Sequence, residues 1–199
     1  MARRKDHTPK ELKGLILQSA RKIIDSKGLN GLTARALANA IGYTPGTIYN
    51  FYRDMDALVT DINHATLEQL YRFCNERTQG LPLDFSKVRA LAYAYVDFAH
   101  DNRRAWETLF AGTRDGSHKS RLPAYYRQAL LNLFEFIETI LRECLQIPAG
   151  EAAKMARLLW AAMHGITVLT LDGRLNLIGV GQPHEMIDDL LQRYLFQYQ

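Results

Sequence analysis

Cysteine is scarce in this chain, and its scarcity excludes two kinds of small stabilised fold. Only Cys74 and Cys144 occur among the 199 residues, 70 positions apart and in no Cys-x-x-Cys pair. A disulfide-rich scaffold and a zinc knuckle are therefore excluded. A long apolar run is also lacking. The most apolar stretch, residues 155–171, is interrupted by Arg157 and His164 and is shorter than the ~20 residues that span a bilayer.

The rest of the composition is that of a globular protein. Hydrophobic residues make up 47% of the chain and charged residues 23%, which argues against long disordered segments. The basic start contains Arg3, Arg4 and Lys5 but leads into no apolar run, so we expect no secretory signal. We therefore expect a cytoplasmic protein in a reducing environment.

Positive charge is concentrated at the beginning of the chain. Residues 1–53 hold ten Lys and Arg residues against three Asp and Glu residues, a net charge of +7. Residues 54–199 hold fifteen against eighteen, a net charge of −3. This asymmetry favours a polyanion-binding segment joined to a body with another role. From charge alone, a solvated surface on which charges happen to cluster is an equal alternative.

The apolar spacing predicts a first helix with well-marked ends. Thr8, Pro9 and Glu11 form a capping box with proline in the first turn, and Gly28 ends the helix. One apolar stripe at steps of three and four contains Leu12, Leu15, Ile16, Ala20, Ile23 and Ile24.

Two short helices with a tight turn between them are predicted next. Thr33 caps the first, which Gly42 ends, and Thr44 caps the second, with Pro45 at its first position. Because the turn at residues 41–44 is so short, the two helices must cross. This arrangement is typical of a helix-turn-helix.

The remaining sequence predicts only further helices. A long helix starts at Asp54 as its cap and runs towards Thr78, and others cover about 84–100, 103–111, 123–145, 150–171 and 184–198. No segment alternates long enough to predict a strand. We therefore expect an all-α protein of about nine helices, with a three-helix DNA-binding unit at residues 1–53 and a larger helical bundle at 54–199.

The second helix of the predicted helix-turn-helix carries side chains suited to DNA. Thr47, Tyr49 and Asn50 can contact base edges in the major groove, while Thr33 and Arg35 can hold phosphates. The alternative for Tyr49 is an ordinary core aromatic. Arg3, Arg4 and Lys5 form either an arm along the DNA or a merely solubilising start.

The segment from Gly31 to Tyr52 resembles the DNA-binding signature of the TetR family (TetR/AcrR-like) of transcriptional regulators. It reads Gly-Leu-Thr-Ala-Arg-Ala-Leu-Ala-Asn-Ala-Ile-Gly-Tyr-Thr-Pro-Gly-Thr-Ile-Tyr-Asn-Phe-Tyr. That signature has Thr at the head of the second helix, a small-Gly turn, Ser/Thr-x-Gly opening the third and Tyr-x-aromatic-aromatic ending it. Residues and resemblance together give these candidate DNA contacts: Thr33, Arg35, Tyr43, Thr44, Pro45, Gly46, Thr47, Tyr49, Asn50 and Arg53.

The sequence departs from the family signature at a few positions. The aromatic pair is Phe51-Tyr52 where Tyr-Phe is usual, and Ile41 replaces a usual Ala. Met55 stands where the family commonly has a phosphate-binding Lys, for which Arg53 is a candidate replacement.

The resemblance implies that residues 54–199 dimerise and bind a small-molecule effector. Residues 155–171 are apolar nearly all round, and the last helix has a broad apolar face, as expected if these two helices pair with those of a second subunit. Burial within a monomer is the alternative. The expected interface residues are Ile187, Leu190, Leu191, Tyr194 and Tyr198. The expected effector-binding residues are Tyr71, Tyr95, Phe98, Trp106, Phe110, Phe134, Trp160 and His164.

Trp160, His164 and Gly165 also resemble a C-terminal subclass of the family that is marked by a Trp and a His-Gly pair. Residues 101–110 look like the aromatic sixth-helix segment that accompanies it. For His164, the alternative to a ligand-binding role is a core histidine whose hydrogen bonds are satisfied within the protein.

An enzyme or a protein-only adaptor is the alternative to a DNA-binding regulator. Asp61/His64 and Asp97/His100 have a spacing related to that of bundle metal sites, but we expect both helix faces to be solvated and no metal to bind. No nucleotide loop or nucleophile motif is present, and no cofactor is expected. The capped turn and the +7 segment oppose an adaptor. The sequence thus predicts a homodimeric repressor that binds a palindromic operator on double-stranded DNA and responds to an effector.

Overall fold

The computed structural model describes residues 7–111, 122–177, 179 and 182–198. Within these residues it contains helices and no strand, which confirms the all-α fold. The ten α-helices are α1 (Pro9–Lys27), α2 (Ala34–Ile41), α3 (Pro45–Tyr49), α4 (Met55–Thr78), α5 (Phe85–Asp101), α6 (Arg103–Phe110), α7 (Ala124–Leu145), α8 (Ala149–Leu171), α9 (Arg174–Leu177) and α10 (Pro183–Leu195).

The chain divides into two compact units. The first combines Met1–Thr66 with Arg104–Tyr126, and the second combines Leu67–Arg103 with Arg127–Gln199. The division between the two compact units therefore falls within α4, and α6 belongs to the first unit. The boundary between residues 53 and 54, which rests on charge and on the DNA-binding signature, stays a prediction about function.

The start of α1 is fixed by the predicted capping box. The Thr8 hydroxyl accepts from the Glu11 backbone N–H, and the Glu11 carboxylate accepts from the Thr8 backbone N–H. Gly28 ends the helix at φ 70°, a backbone angle that favours glycine. The stripe predicted for α1 is buried at Leu12, Ile16, Ala20 and Ile24, where it forms the core with residues of α2 to α4.

The two short helices form the predicted helix-turn-helix. The Thr33 hydroxyl accepts from the Ala36 backbone N–H, and Gly42 ends α2 in the left-handed conformation. The side-chain cap predicted at Thr44 is wrong. Its hydroxyl lies 3.4 Å from that of Thr47 and makes no hydrogen bond to a backbone N–H of α3. Thr44 therefore marks the start of α3 only by its extended backbone.

The second unit packs α5 against α8 and α10. Its helices begin and end close to the predicted positions, with two exceptions. Residues 174–177, which lie between two predicted helices, form the one-turn helix α9. The last helix ends at Leu195 rather than at 198, and a 3-10 turn from Phe196 to Tyr198 follows it. No helix in the described residues is long and apolar enough to cross a membrane.

Candidate nucleic-acid interface

Helix α3 turns one side into the core of its unit and presents the other to solvent. Ile48 is fully buried, and Tyr52, just after the helix, is 5% exposed. Tyr49 is 50% exposed, so it is not the core aromatic that the sequence left open as its alternative role. Ile48 and Tyr52 hold the helix in place, which leaves Tyr49 and Asn50 free to contact a partner.

The candidate DNA contacts all reach the surface of the first unit. Thr47 and Tyr43 are half-buried, and the other eight are exposed: Thr33, Arg35, Thr44, Pro45, Gly46, Tyr49, Asn50 and Arg53. Together they cover the starts of α2 and α3, the turn between them and the end of α3. Their contact with DNA stays a prediction. The arm at Arg3, Arg4 and Lys5 lies outside the described residues.

Tyr43 has a partner that sequence reasoning missed. Its hydroxyl lies 2.9 Å from Nδ1 of His7, and the two rings are tilted with centroids 6.1 Å apart. His7 precedes the capping box of α1, so this contact ties the start of the chain to the turn before α3. No local pattern could have revealed it, because the residues are 36 positions apart.

Arg53 lies two residues before Met55, the first residue of α4, where the resemblance in the sequence implies a phosphate-binding lysine. The Asp54 carboxylate accepts from the Ala57 backbone N–H at 2.7 Å and lies 3.0 Å from Nε of Arg53. The predicted cap at Asp54 is thereby confirmed. Met55 packs against the core cluster, so Arg53 is the side chain that presents positive charge to solvent at this position.

Asp61 is the centre of a polar cluster that the sequence did not predict. The hydroxyl of Tyr125 donates to Oδ1 at 2.5 Å, and that of Tyr52 donates to Oδ2 at 3.1 Å. Nζ of Lys13 lies 3.1 Å from Oδ2. The expectation that Asp61 lies on a solvated face is wrong, since its side chain is only 19% exposed. The cluster connects Asp61 of α4 to Lys13 of α1, to Tyr52 just after α3 and to Tyr125 at the start of α7.

The hydrogen bonds around Asp61 decide its ionisation. Burial by itself raises the pKa of the carboxyl, but the donors Tyr125, Lys13 and Tyr52 outweigh it and hold the pKa below its usual value. Burial and the Asp61 charge raise the pKa of both tyrosines, which therefore remain protonated donors at neutral pH. The cluster is built around an ionised Asp61.

Replacing the Asp61 charge should weaken the first unit and change its acid stability. We expect Asp61→Asn to lower the free energy of unfolding by about 1–3 kcal/mol at pH 7, because charge-assisted hydrogen bonds are lost. Since the folded pKa is lowered, this stabilisation is present above about pH 4 and is lost as the pH falls through the folded pKa. Urea unfolding at pH 7 and below pH 4 measures the difference.

A matched control is Asp25→Asn, which changes an exposed aspartate of the same unit. Its stability should stay within about 0.5 kcal/mol of wild type at both pH values. If Asp61→Asn were equally neutral at pH 7, the cluster would have no structural role.

Asp97 and His100, one of the two Asp-x-x-His pairs, contact different partners. Asp97 lies 2.9 Å from Nε2 of His184 and 3.6 Å from Arg77, whereas His100 contacts Asp101. Asp97 is thus only partly exposed, and the expected solvated face is wrong here as well. The described residues contain no group of three or more His, Cys, Asp or Glu side chains placed to hold a metal ion.

Four of the eight candidate effector residues form one aromatic cluster in the second unit. The ring of Trp160 contacts Phe134 edge to face, with centroids 5.8 Å apart, and stacks on His164 at 5.6 Å. Nδ1 of His164 lies 2.9 Å from the hydroxyl of Tyr95. Burial lowers the pKa of His164, so its imidazole is neutral at pH 7. His164 therefore has a hydrogen-bond partner within its own unit.

The other four candidates have aromatic partners of their own. Phe98 is buried against Phe73, Tyr71 contacts Phe136, and Trp106 packs on Phe110 in the first unit. The first unit has a cavity of about 490 Å³ and the second has one of about 610 Å³. None of the eight candidates lines either of them, so their role in effector binding stays a prediction.

The five candidate interface residues divide into two groups. Ile187 and Leu191 are fully buried within their own subunit, so placing them at a dimer interface is wrong; they are core residues of the second unit. The opposite side of α10 presents Leu190, half-buried, and Tyr194, 38% exposed. Tyr198 lies beyond α10, where its hydroxyl donates to Glu151.

Sequence comparison matches both parts of the chain to one family. A family model described as "Bacterial regulatory proteins, tetR family" matches residues 16–62. A second, described as "Tetracyclin repressor-like, C-terminal domain", matches residues 88–194, more than half of the chain. The second match spans Trp160, His164 and Gly165 without singling out the Trp/His-Gly subclass, which stays a prediction.

Known proteins similar to this chain include a regulator and solved structures. The uncharacterized HTH-type transcriptional regulator YobS of Bacillus subtilis is 26% identical over 167 residues, 78% of this chain and 76% of that protein. A protein of unknown function from Rhodococcus sp. RHA1 has TM-score 0.78 at 21% identity, with both chains covered completely. The TetR family regulator PfmR from Thermus thermophilus has TM-score 0.60 at 17% identity, covering 86% of this chain and 92% of that one. The chain therefore belongs to the TetR family of transcriptional regulators and is a DNA-binding regulator.

Proposed function

We propose that this protein is a cytoplasmic, non-enzymatic homodimeric repressor that binds a palindromic operator and releases it when a small molecule binds. The proposal that the protein recognises DNA sequence rests on the side chains of α3. Its core-facing Ile48 is fully buried while Tyr49, the next residue, is half exposed. A helix anchored on one side and polar or aromatic on the other can enter a major groove without losing its place in the fold.

Each exposed group of the helix-turn-helix has a proposed role. Thr47, Tyr49 and Asn50 contact base edges, because they lie on or just after α3. Thr33 and Arg35, at the start of α2, contact phosphates, as does Arg53 at the start of α4. This division predicts that binding to random duplex falls steeply with salt, since phosphate contacts release counterions. A protein-only adaptor would show no such binding.

An exposed apolar strip on α8 supports the dimer. Leu158 is 58% exposed and Leu169 is 40% exposed, and between them along one face lie Ala162 and Gly165 at heptad spacing. A Cβ built on Gly165 meets no atom within 4 Å, so this face has room for a neighbouring helix. A second copy of α8 and the Leu190 and Tyr194 face of α10 would complete a four-helix bundle.

The aromatic cluster of Phe134, Trp160, His164 and Tyr95 is the proposed effector-responsive region. It combines large apolar faces with the hydrogen-bonded pair of His164 and Tyr95, and burial lowers the pKa of His164, which favours an uncharged imidazole beside an apolar ligand. An effector that binds one arrangement of the dimer better than another changes the separation of the two α3 helices. A coupling of ~1–3 kcal/mol alters operator affinity about 5- to 150-fold.

Tryptophan fluorescence tests the effector region. The chain has two tryptophans, so Trp106→Phe leaves Trp160 as the only one. We expect any compound that releases this variant from its operator to change the Trp160 emission at the same concentration. A compound that releases the DNA without altering that emission would place the effector elsewhere. Wild-type release by the same compound controls for the substitution.

A further inference from the structure

The cavity of about 610 Å³ in the second unit has a lining unlike the aromatic cluster. It lies among the start of α5, the end of α7, α10 and the 3-10 turn that follows α10. Phe85, Leu145 and Tyr198 supply apolar walls, and Arg89, Asp188 and Gln192 supply polar groups. Its volume falls in the range of small-molecule sites, ~300–1,000 Å³.

Asp188 has one carboxylate oxygen engaged and one that is not. Oδ2 accepts from the hydroxyl of Tyr93 at 2.6 Å. Burial, followed by the bond to Asp188, raises the pKa of Tyr93 to about 12, so Tyr93 remains the donor at neutral pH. Oδ1 is buried and has no hydrogen-bond partner among the described residues. Such an acceptor costs stability until a donor reaches it.

The charge of the lining favours a cation. Two carboxylates, Asp84 and Asp188, and one guanidinium, Arg89, line the cavity. Asp84 caps α5, its Oδ1 accepts from the backbone N–H and the hydroxyl of Ser86, and its side chain is exposed to water. The Arg89 guanidinium lies over the Tyr93 ring, 5.9 Å from its centroid. Asp188 is therefore the lining residue whose carboxylate has a buried acceptor without a partner among the described residues.

We propose that this cavity is a second ligand site, separate from the aromatic cluster, which binds small organic cations whose ammonium or amidinium N–H groups donate to Asp188. The apolar part of the ligand lies against Phe85, Leu145 and Tyr198. The residues of this site belong neither to the DNA-binding surface nor to the proposed effector region. The experiments below therefore test this site independently of the proposed function.

Benzylamine is a suitable probe, with benzyl alcohol as a neutral molecule of nearly the same shape. We expect calorimetric titration of the full chain at pH 7 to give saturable benzylamine binding and at least about tenfold weaker binding of benzyl alcohol, because only the amine brings a charged donor. Equal binding of the two, or none of the amine, would overturn the proposal. This comparison needs no variant and is unaffected by misfolding.

Asp188→Asn keeps an acceptor for Tyr93 and removes the charge. We expect it to weaken benzylamine binding about tenfold or more. Asp189→Asn is the matched control, since Asp189 is the next residue of α10, is exposed and contacts Arg193 at 2.7 Å. Its affinity should equal that of wild type. Equal affinity in the Asp188 variant would contradict the assignment of the acceptor.

Cys144 reports whether the probe enters the cavity. It lines the cavity and is half-buried, whereas Cys74 is buried and burial raises its pKa to about 12. We expect benzylamine to slow iodoacetamide alkylation of Cys144, measured by peptide mass spectrometry, at the concentration at which it binds. Binding without protection would place the amine at another site and overturn the proposal.

Discussion

Tyr49→Ala should cost the dimer its preference for the operator while leaving binding to random DNA nearly intact. A base contact is worth ~1–3 kcal/mol, and a dimer loses it in both half-sites, so we expect operator affinity to fall by about 2–6 kcal/mol. Because Tyr49 is half exposed, its removal should leave the fold unchanged. Binding titrations at fixed salt, against the selected site and against random duplex, measure both affinities.

Thr47→Ala and Arg35→Ala complete this series. Thr47→Ala should act like Tyr49→Ala, by a smaller amount, because it removes one hydroxyl. Arg35→Ala should weaken both kinds of binding by similar factors and reduce the salt slope by about one for each copy, as expected of a phosphate contact. Equal losses for all three variants on both kinds of DNA would remove the assignment of base contacts to α3.

The second large effect is expected from the exposed strip of α8. Leu158→Arg with Leu169→Arg places two positive charges per subunit in the proposed interface, and we expect the protein to become a monomer. A monomer keeps one half-site, which amounts to about half of the specific binding free energy if the halves contribute equally. An operator Kd of ~10⁻⁸ M would then rise towards the non-specific range of ~10⁻⁴ M.

Leu131→Arg is the control for this double variant. Leu131 lies on α7 and is 60% exposed, nearly the same as Leu158 at 58%. Sedimentation should show a dimer for wild type and for Leu131→Arg, and a monomer for the double variant. A folded double variant that stays dimeric would place the interface on another surface.

The parts of the fold that the sequence predicted depend on neighbours along the chain. The capping box at Thr8, the cap at Thr33 and the turn at Gly42 are decided within one helical turn, so spacing is enough to find them. Thr44 has the same pattern as Thr33 but makes no cap bond. Whether a threonine hydroxyl turns towards the first backbone N–H groups of its helix depends on its rotamer, which the spacing of residues does not reveal.

Contacts between distant segments could not be predicted. The charged residues Glu68 and Arg72 on the helix of Asp61 predict a solvated face, yet its partners Lys13 and Tyr125 are 48 and 64 positions away. Asp97 likewise contacts His184, 87 positions along, rather than His100. The assignment of Ile187 and Leu191 failed for a related reason. An apolar stripe on α10 predicts that it is covered, but not whether by its own subunit or by another.

Selection of bound sites from random duplex DNA tests the central claim most directly, because it needs neither the operator nor the effector in advance. We expect one enriched sequence that is palindromic, with half-sites centred about one helical turn apart, ~10 base pairs or a multiple of it, since two α3 helices related by a two-fold axis must enter successive major grooves. An enriched site without internal symmetry would contradict the dimeric reader, and no enrichment at all would contradict recognition of DNA sequence by this helix-turn-helix.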